Sequence, residues 1–141
     1  MLFPKKVKYR KWQTLRHNPN KPKVESRGLR LAFGSFGIKA VTPGRIRSNQ
    51  IEAARKAIVR EISKTGKLWI RIFPDKPYTS KAAEIPMGSG KGDPQGYEMI
   101  VWPGRMIFEL DGVEEALARE ALRKGGAKLP VKTKLISRTE A

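Results

Sequence analysis

The sequence contains no cysteine and a single histidine, His17. Disulfides and cysteine-based zinc sites are thereby excluded, and a histidine-held metal would lack its companion ligands. The missing cysteines also suit a reducing compartment. No run approaches the roughly 18–20 apolar residues that cross a bilayer. Neither helix expected below has the broad apolar face of an interfacial anchor. The start, MLFPKKVKYRKW, has no secretory apolar core, and Pro4 works against an amphipathic transit helix. Acid is scarce as well: 13 Asp and Glu stand against 30 Lys and Arg, a formal charge of +17. A free protein with that excess repels itself and binds polyanions. Phosphates relieve the repulsion, each one releasing a condensed counterion as it is neutralised. Nucleic acid is therefore the expected class of partner, ahead of an anionic membrane.

What is present fits one domain: 141 residues, 39% hydrophobic, enough for a single core. The charge is concentrated at one end. Residues 1–30 hold ten Lys or Arg against Glu25 alone, +9 of the +17. Pro4, Pro19 and Pro22, with Asn18 and Asn20, interrupt any periodicity. Residues 1–27 thus read as a basic irregular arm that orders on its partner. Phe3, Tyr9 and Trp12 lie among its cations, an interleaving that lets rings stack on bases while ammonium and guanidinium groups hold phosphates. A merely solvated tail is the alternative. Residues 28–138 read as a compact domain and 139–141 as a tail.

Leu29, Leu31 and Phe33 alternate, and Phe36, Ile38 and Ala40 follow, which predicts a hairpin or two short strands. Pro43-Gly44 is a turn. Asn49 with Glu52 forms a capping-box pattern opening a helix to about Thr65, with Ile51, Ala54, Ile58 and Ile62 as its buried stripe. Gly66 is expected to end it through a positive φ. Strands are predicted over Lys67–Phe73, Tyr97–Trp102, Arg105–Leu110 and Lys132–Arg138. A second helix runs from the Asp111–Glu114 cap to about Lys124, with Val113, Leu117 and Ala121 inward and Gly125-Gly126 as its stop. Mixed elements with antiparallel neighbours give the α+β class, two helices covering one face of a sheet.

Residues 74–96 carry four prolines and four glycines and no periodicity, the mark of a functional or disordered loop. Gly88-Ser-Gly-Lys-Gly92 superficially suggests a phosphate loop. A Walker loop needs a Gly separated by four residues from its Gly-Lys pair, then Ser or Thr, then a helix. Here Ile85 holds the outer position, Gly92 replaces the hydroxyl, and Asp93-Pro94 disfavours a helix. A structural or RNA-facing loop is the stronger reading. Its glycines let backbone approach a phosphate or ribose closely, and Lys91 adds a charge; a flexible linker is the plainer alternative. His17 sits in the arm as an RNA contact or a solvated side chain. Glu114 and Glu115 suit a helix start, and Trp69 reads as structural. No cofactor, metal or catalytic group is expected.

The motifs Phe33-Gly-Ser-Phe-Gly-Ile38, Gln50-Ile-Glu-Ala-Ala-Arg55, Trp69-Ile-Arg-Ile-Phe-Pro-Asp-Lys-Pro77, Met87-Gly-Ser-Gly-Lys-Gly92, Pro103-Gly-Arg105, Asp111-Gly-Val113 and Lys128-Leu-Pro-Val-Lys-Thr133 occur in this order. Together with Pro4-Lys-Lys and Tyr9-Arg-Lys11 they resemble the bacterial form of the large-subunit ribosomal protein sixteen family, over almost the whole chain. The resemblance implies an α/β hammerhead-type fold within the large ribosomal subunit, cytoplasmic or in an organelle. Implied partners are large-subunit rRNA, tRNA at the aminoacyl site with the peptidyl site as a second contact, and neighbouring large-subunit proteins. The expected rRNA contacts are Lys5, Lys6, Lys8, Tyr9, Arg10, Lys11, Arg16, Arg45, Arg47, Arg55 and Arg60. The loop facing tRNA and the peptidyl transferase region would comprise Lys76, Lys81, Met87, Gly88, Ser89, Gly90, Lys91 and Gly92. Pro86 stands where many bacterial relatives have Arg, and residues 13–27 follow no family pattern. A free basic assembly factor that binds RNA is the alternative function.

Overall fold

The computed structural model describes residues 1–139 except 15, 17 and 19. His17, and residues 140 and 141 of the expected tail, lie outside the described residues. No helix or strand occurs among the described residues before Phe36. Seven strands and two helices follow: β1 Phe36–Ala40, β2 Gly44–Arg47, α1 Ser48–Ile62, β3 Lys67–Ile70, β4 Lys76–Ser80, β5 Asp93–Val101, β6 Met106–Asp111, α2 Glu115–Gly126 and β7 Thr133–Ser137. The α+β class holds, with two antiparallel sheets where one was expected. Their orders are β3-β6-β1-β7 and β2-β5-β4. The chain passes between them at Pro103-Gly104, so β5 and β6 belong to different sheets. Gly104 takes φ 99° there and donates its N–H to the Ala40 carbonyl at 2.8 Å.

The α1 stripe is as its spacing predicts: Ile51, Ala54, Ile58 and Ile62 are all buried. Its start is not. The Arg47 N–H donates to Gln50 Oε1 at 2.9 Å, placing the cap two residues before Asn49, while Glu52 is held by Arg55. Helix α1 stops at Ile62 because Ser63 adopts φ 56°, its N–H donating to the Val59 carbonyl at 2.9 Å. Gly66 does not carry the positive φ. It is small for another reason: a Cβ there would lie 2.7 Å from Val113 Cγ1.

Helix α2 buries Ala118, Ala121, Leu122 and Gly125; Val113 and Leu117 are only partly covered. Gly125 and Gly126 lie inside the helix rather than beyond its end. A Cβ on Gly125 would meet the Ile58 side chain at 2.5 Å, so this glycine lets α2 close on α1. The core joins both helices to both sheets through Ile38, Ile46, Ile58, Val101, Phe108, Leu110 and Leu122, all 0% exposed.

Two other expectations need correction. Leu29–Phe33 forms no strand, because the amides of Ala32, Phe33 and Gly34 all donate to one carboxylate oxygen, Glu109 Oε1, at 2.8, 3.0 and 3.1 Å. Leu29 and Phe33 are left exposed. Strand β4, in turn, lies within the segment read as irregular. It is an edge strand, where Pro77 is tolerated for want of an N–H. Apart from residues 74 and 75, the irregular segment therefore shrinks to residues 81–92, the tip of a β4–β5 hairpin.

Candidate nucleic-acid interface

The arm lies against the domain without regular structure. Lys5, Lys6, Lys8, Tyr9, Arg10, Lys11 and Arg16 are all exposed. What fastens the arm is mostly apolar or main chain. Leu2 packs on the core, and the Phe3 ring meets Tyr97 edge-on at 6.1 Å. The Glu25 N–H donates to the Pro103 carbonyl at 3.0 Å, and the Lys23 ammonium sits 5.0 Å from the centre of the Trp102 ring. Lys5, Lys6, Lys8 and Arg10 stay outward. The Lys8 ammonium lies 5.5 Å from the Tyr9 ring centre, so this pair already joins a positive charge to an aromatic face.

The hairpin tip projects from β4 and β5. Met87 is 99% exposed, more than any other large apolar side chain described. Gly88, Ser89 and Gly90 have φ 105°, 61° and 97° in succession. A Cβ at Gly88 or Gly90 would meet nothing within 4 Å. Their glycines are required by backbone conformation, not by crowding within the chain. Gly92 differs: a Cβ there would lie 2.7 Å from the Ser80 carbonyl oxygen, where the strands converge. Lys81 donates its ammonium to the Gly88 carbonyl and thereby closes the tip.

Arm and tip meet. Lys11 donates through Nζ to the Lys91 carbonyl at 3.2 Å, and Lys91 donates through its own Nζ to the Trp12 carbonyl. Two segments that look separate in the sequence are thus one surface. No local pattern signals this pairing, whose members stand 80 residues apart.

Lys76 requires correction. It lies in β4 with its side chain 7% exposed, its ammonium 3.2 Å from Glu98 Oε1. Its ammonium is buried and paired at the hairpin root, where it was expected to stand in an exposed loop. Arg45 reaches the same carboxylate at 3.5 Å from the exposed side of β2. The Arg47 guanidinium covers Tyr78 at 4.5 Å. These two arginines stand beside the hairpin root. Arg55 is bound to Glu52 at 2.6 Å, and this bond, with the guanidinium charge, holds the Glu52 carboxyl below its ordinary range against the opposing effect of burial. Arg60 is exposed in the last turn of α1, roughly 20 Å along the helix from Arg47 at 1.5 Å per residue. Arg60 is therefore not part of the cluster around the hairpin.

Among the described residues no group of three or more His, Asp or Glu side chains could hold a metal ion, and no helix is long and apolar enough to cross a membrane. What the surface offers is exposed cations, aromatic rings and a glycine-rich projection on an α+β support. These are the parts of an RNA-associated scaffold. The family model described as Ribosomal protein L16p/L10e matches residues 4–136, and the chain belongs to that family. It is a structural protein of the large ribosomal subunit in the cytoplasm, and its partners are large-subunit rRNA and other ribosomal proteins.

Proposed function

We propose that the chain binds large-subunit rRNA through its arm and the Arg45–Arg47 edge, and presents residues 81–92 to tRNA at the aminoacyl site. The mutual Lys11–Lys91–Trp12 anchoring carries this reading. It ties the segment richest in exposed cations to a tip whose backbone is exposed and held in a left-handed conformation. Phosphates on the arm's cations would fix the tip in space, and the tip would meet the acceptor end with main-chain groups. Peptide-bond chemistry is left to RNA; the chain contributes position and positive potential. In domain terms, residues 1–27 are the holding arm and 28–138 the support.

The test is reconstitution of large subunits with Gly90→Val. At φ 97° a β-branched residue is strained whatever the space around it. The variant should assemble but accommodate aminoacyl-tRNA about tenfold more slowly than the parent. Parental accommodation would remove the tip from the proposal and leave the rRNA contacts standing. Retention on the subunit through a high-salt wash separates this reading from a free assembly factor, which would wash off.

A further inference from the structure

Alternation predicts Phe33 on a strand, yet the residue is 56% exposed and its ring stacks on Trp69, with centroids 5.9 Å apart and planes 19° from parallel. Strand β3, which carries Trp69, is an edge strand of the four-stranded sheet. Cations flank the pair. The Lys67 ammonium lies 5.3 Å from the Trp69 ring centre and the Arg71 guanidinium 5.4 Å from that of Phe33. A groove beside it is lined by Gly28, Leu29, Arg30, Leu31 and Arg71, among others.

This arrangement is held by machinery that packing alone does not require. Glu109 is fully buried. Its Oε1 takes the amides on both sides of Phe33 as well as Phe33's own, and its Oε2 takes Arg71. Arg71 also donates to the Arg30 carbonyl at 3.1 Å. At Gly34 a Cβ would lie 2.7 Å from the Leu110 carbonyl oxygen, so the backbone beside Phe33 is seated directly on β6. A buried carboxylate thus fixes the position of an exposed phenyl ring. An aromatic face fixed in advance binds a flat partner without the entropy of ordering itself.

We propose that the Phe33–Trp69 pair, flanked by Lys67 and Arg71, is a stacking site for one unpaired base of single-stranded RNA. The site rests on the family's partnership with rRNA and adds a contact separate from the arm and the hairpin tip. Charge complementarity selects the occupant. A base supplies the flat face, and its adjoining phosphates meet Lys67 and Arg30, which are both exposed. The Lys67 stem is long enough to swing its ammonium from the Trp69 ring to a phosphate. A paired base hides its faces within the helix, so the partner is a loop, bulge or strand end.

The experiment uses the full chain and a short unpaired RNA carrying 2-aminopurine at its centre, with the duplex form and whole large-subunit RNA alongside. The parent should quench the probe. Phe33→Leu, similar in bulk but unable to stack, should bind the oligonucleotide about tenfold more weakly and lose the quenching, while Phe33→Tyr keeps both. Because Phe33→Leu removes no charge, its salt slope should match the parent's; Lys67→Gln should lower the slope by about 0.7. Lys67 is exposed, so its variant reads the site independently of any folding defect at position 33. Parental affinity and quenching in Phe33→Leu, or equal binding of the duplex, would overturn the site while binding of large-subunit RNA persists. A parent chain that binds neither RNA would overturn the rRNA reading with it.

Discussion

The Lys11 ammonium donates to the main-chain carbonyl of Lys91 at 3.2 Å, joining the basic arm to the hairpin tip across 80 residues of chain. Lys91 returns the interaction at the Trp12 carbonyl. The two lysines form one joint, and their effects on tip position should not add. Lys11→Ala and Lys91→Ala should each slow tRNA accommodation on reconstituted subunits, and the double variant should be little worse than either single one. Fully additive losses in that double-mutant cycle would show that arm and tip act independently.

Removal of residues 1–11 deletes five exposed cations: Lys5, Lys6, Lys8, Arg10 and Lys11. Each phosphate that the shortened chain no longer neutralises should lower the log–log salt slope of rRNA binding by about 0.7–0.9. Leu2 and Phe3 go as well, so a small fall in melting temperature should accompany the flatter slope. An unchanged slope in a titration from low to high salt would take the arm out of the interface.

Glu109 ties stability to pH. Burial pushes its carboxyl up, but the amide of Phe33, the Arg71 guanidinium and the amides of Gly34 and Ala32 together outweigh this and hold it below the ordinary carboxylate range. A depressed folded-state value means the stabilisation is complete above the unfolded value, about 4.3, and is lost as pH falls through the folded value. Glu109→Ala should cost roughly 3–5 kcal/mol at neutral pH by leaving the largely buried Arg71 without its partner. Glu109→Gln should flatten the acid limb of a stability–pH curve recorded by urea melts. If the acid limbs of Glu109→Gln and parent coincide, the carboxylate is not what acid attacks.

Gly125→Ala offers a sign test. In an ordinary helix interior the change gains about 1 kcal/mol. Here the added Cβ would sit 2.5 Å from the Ile58 side chain, so the change should destabilise. Ile58→Val, which trims the Cδ1 methyl, should recover part of that deficit when combined with it. Denaturant melts of the two single variants and the double variant decide the matter, and a more stable Gly125→Ala would contradict the close approach of α1 and α2.

Periodic and local features are legible in the sequence. The α1 stripe can be read because Ile51, Ala54, Ile58 and Ile62 repeat over a few residues and one helix face settles their fate. The α+β class follows from the same kind of signal. Gly125 passes for a helix stop because the neighbour that demands a glycine is Ile58, far away in sequence. Strand β4 is hidden by Pro77 and by partners that lie only in β5. Alternation points Phe33 inward, since nothing local announces that Glu109 will claim three successive amides. Lys76 resembles one more cation of a basic loop; its burial depends on Glu98, its partner across the strand pair. Among the site residues, the exposed cations of the arm are legible because charge is expensive to bury unpaired. The joint between arm and tip is not, because it consists of main-chain carbonyls that any residue supplies.

The buried Lys76–Glu98 pair lies at the root of the β4–β5 hairpin, and its consequence is mechanical. The 5 residues of β4, at about 3.3 Å each, give a beam roughly 17 Å long. One end is clamped by an ion pair that cannot slip without leaving the buried Lys76 ammonium unpaired. The register irregularity between Tyr78 and Thr79 is the one place along β4 where the ladder loses its regularity. A load applied at Met87 would therefore bend the beam near Tyr78. Tyr78 carries the Arg47 guanidinium on its ring, so a push on the tip would be felt at the Arg45–Arg47 edge before it reached the core.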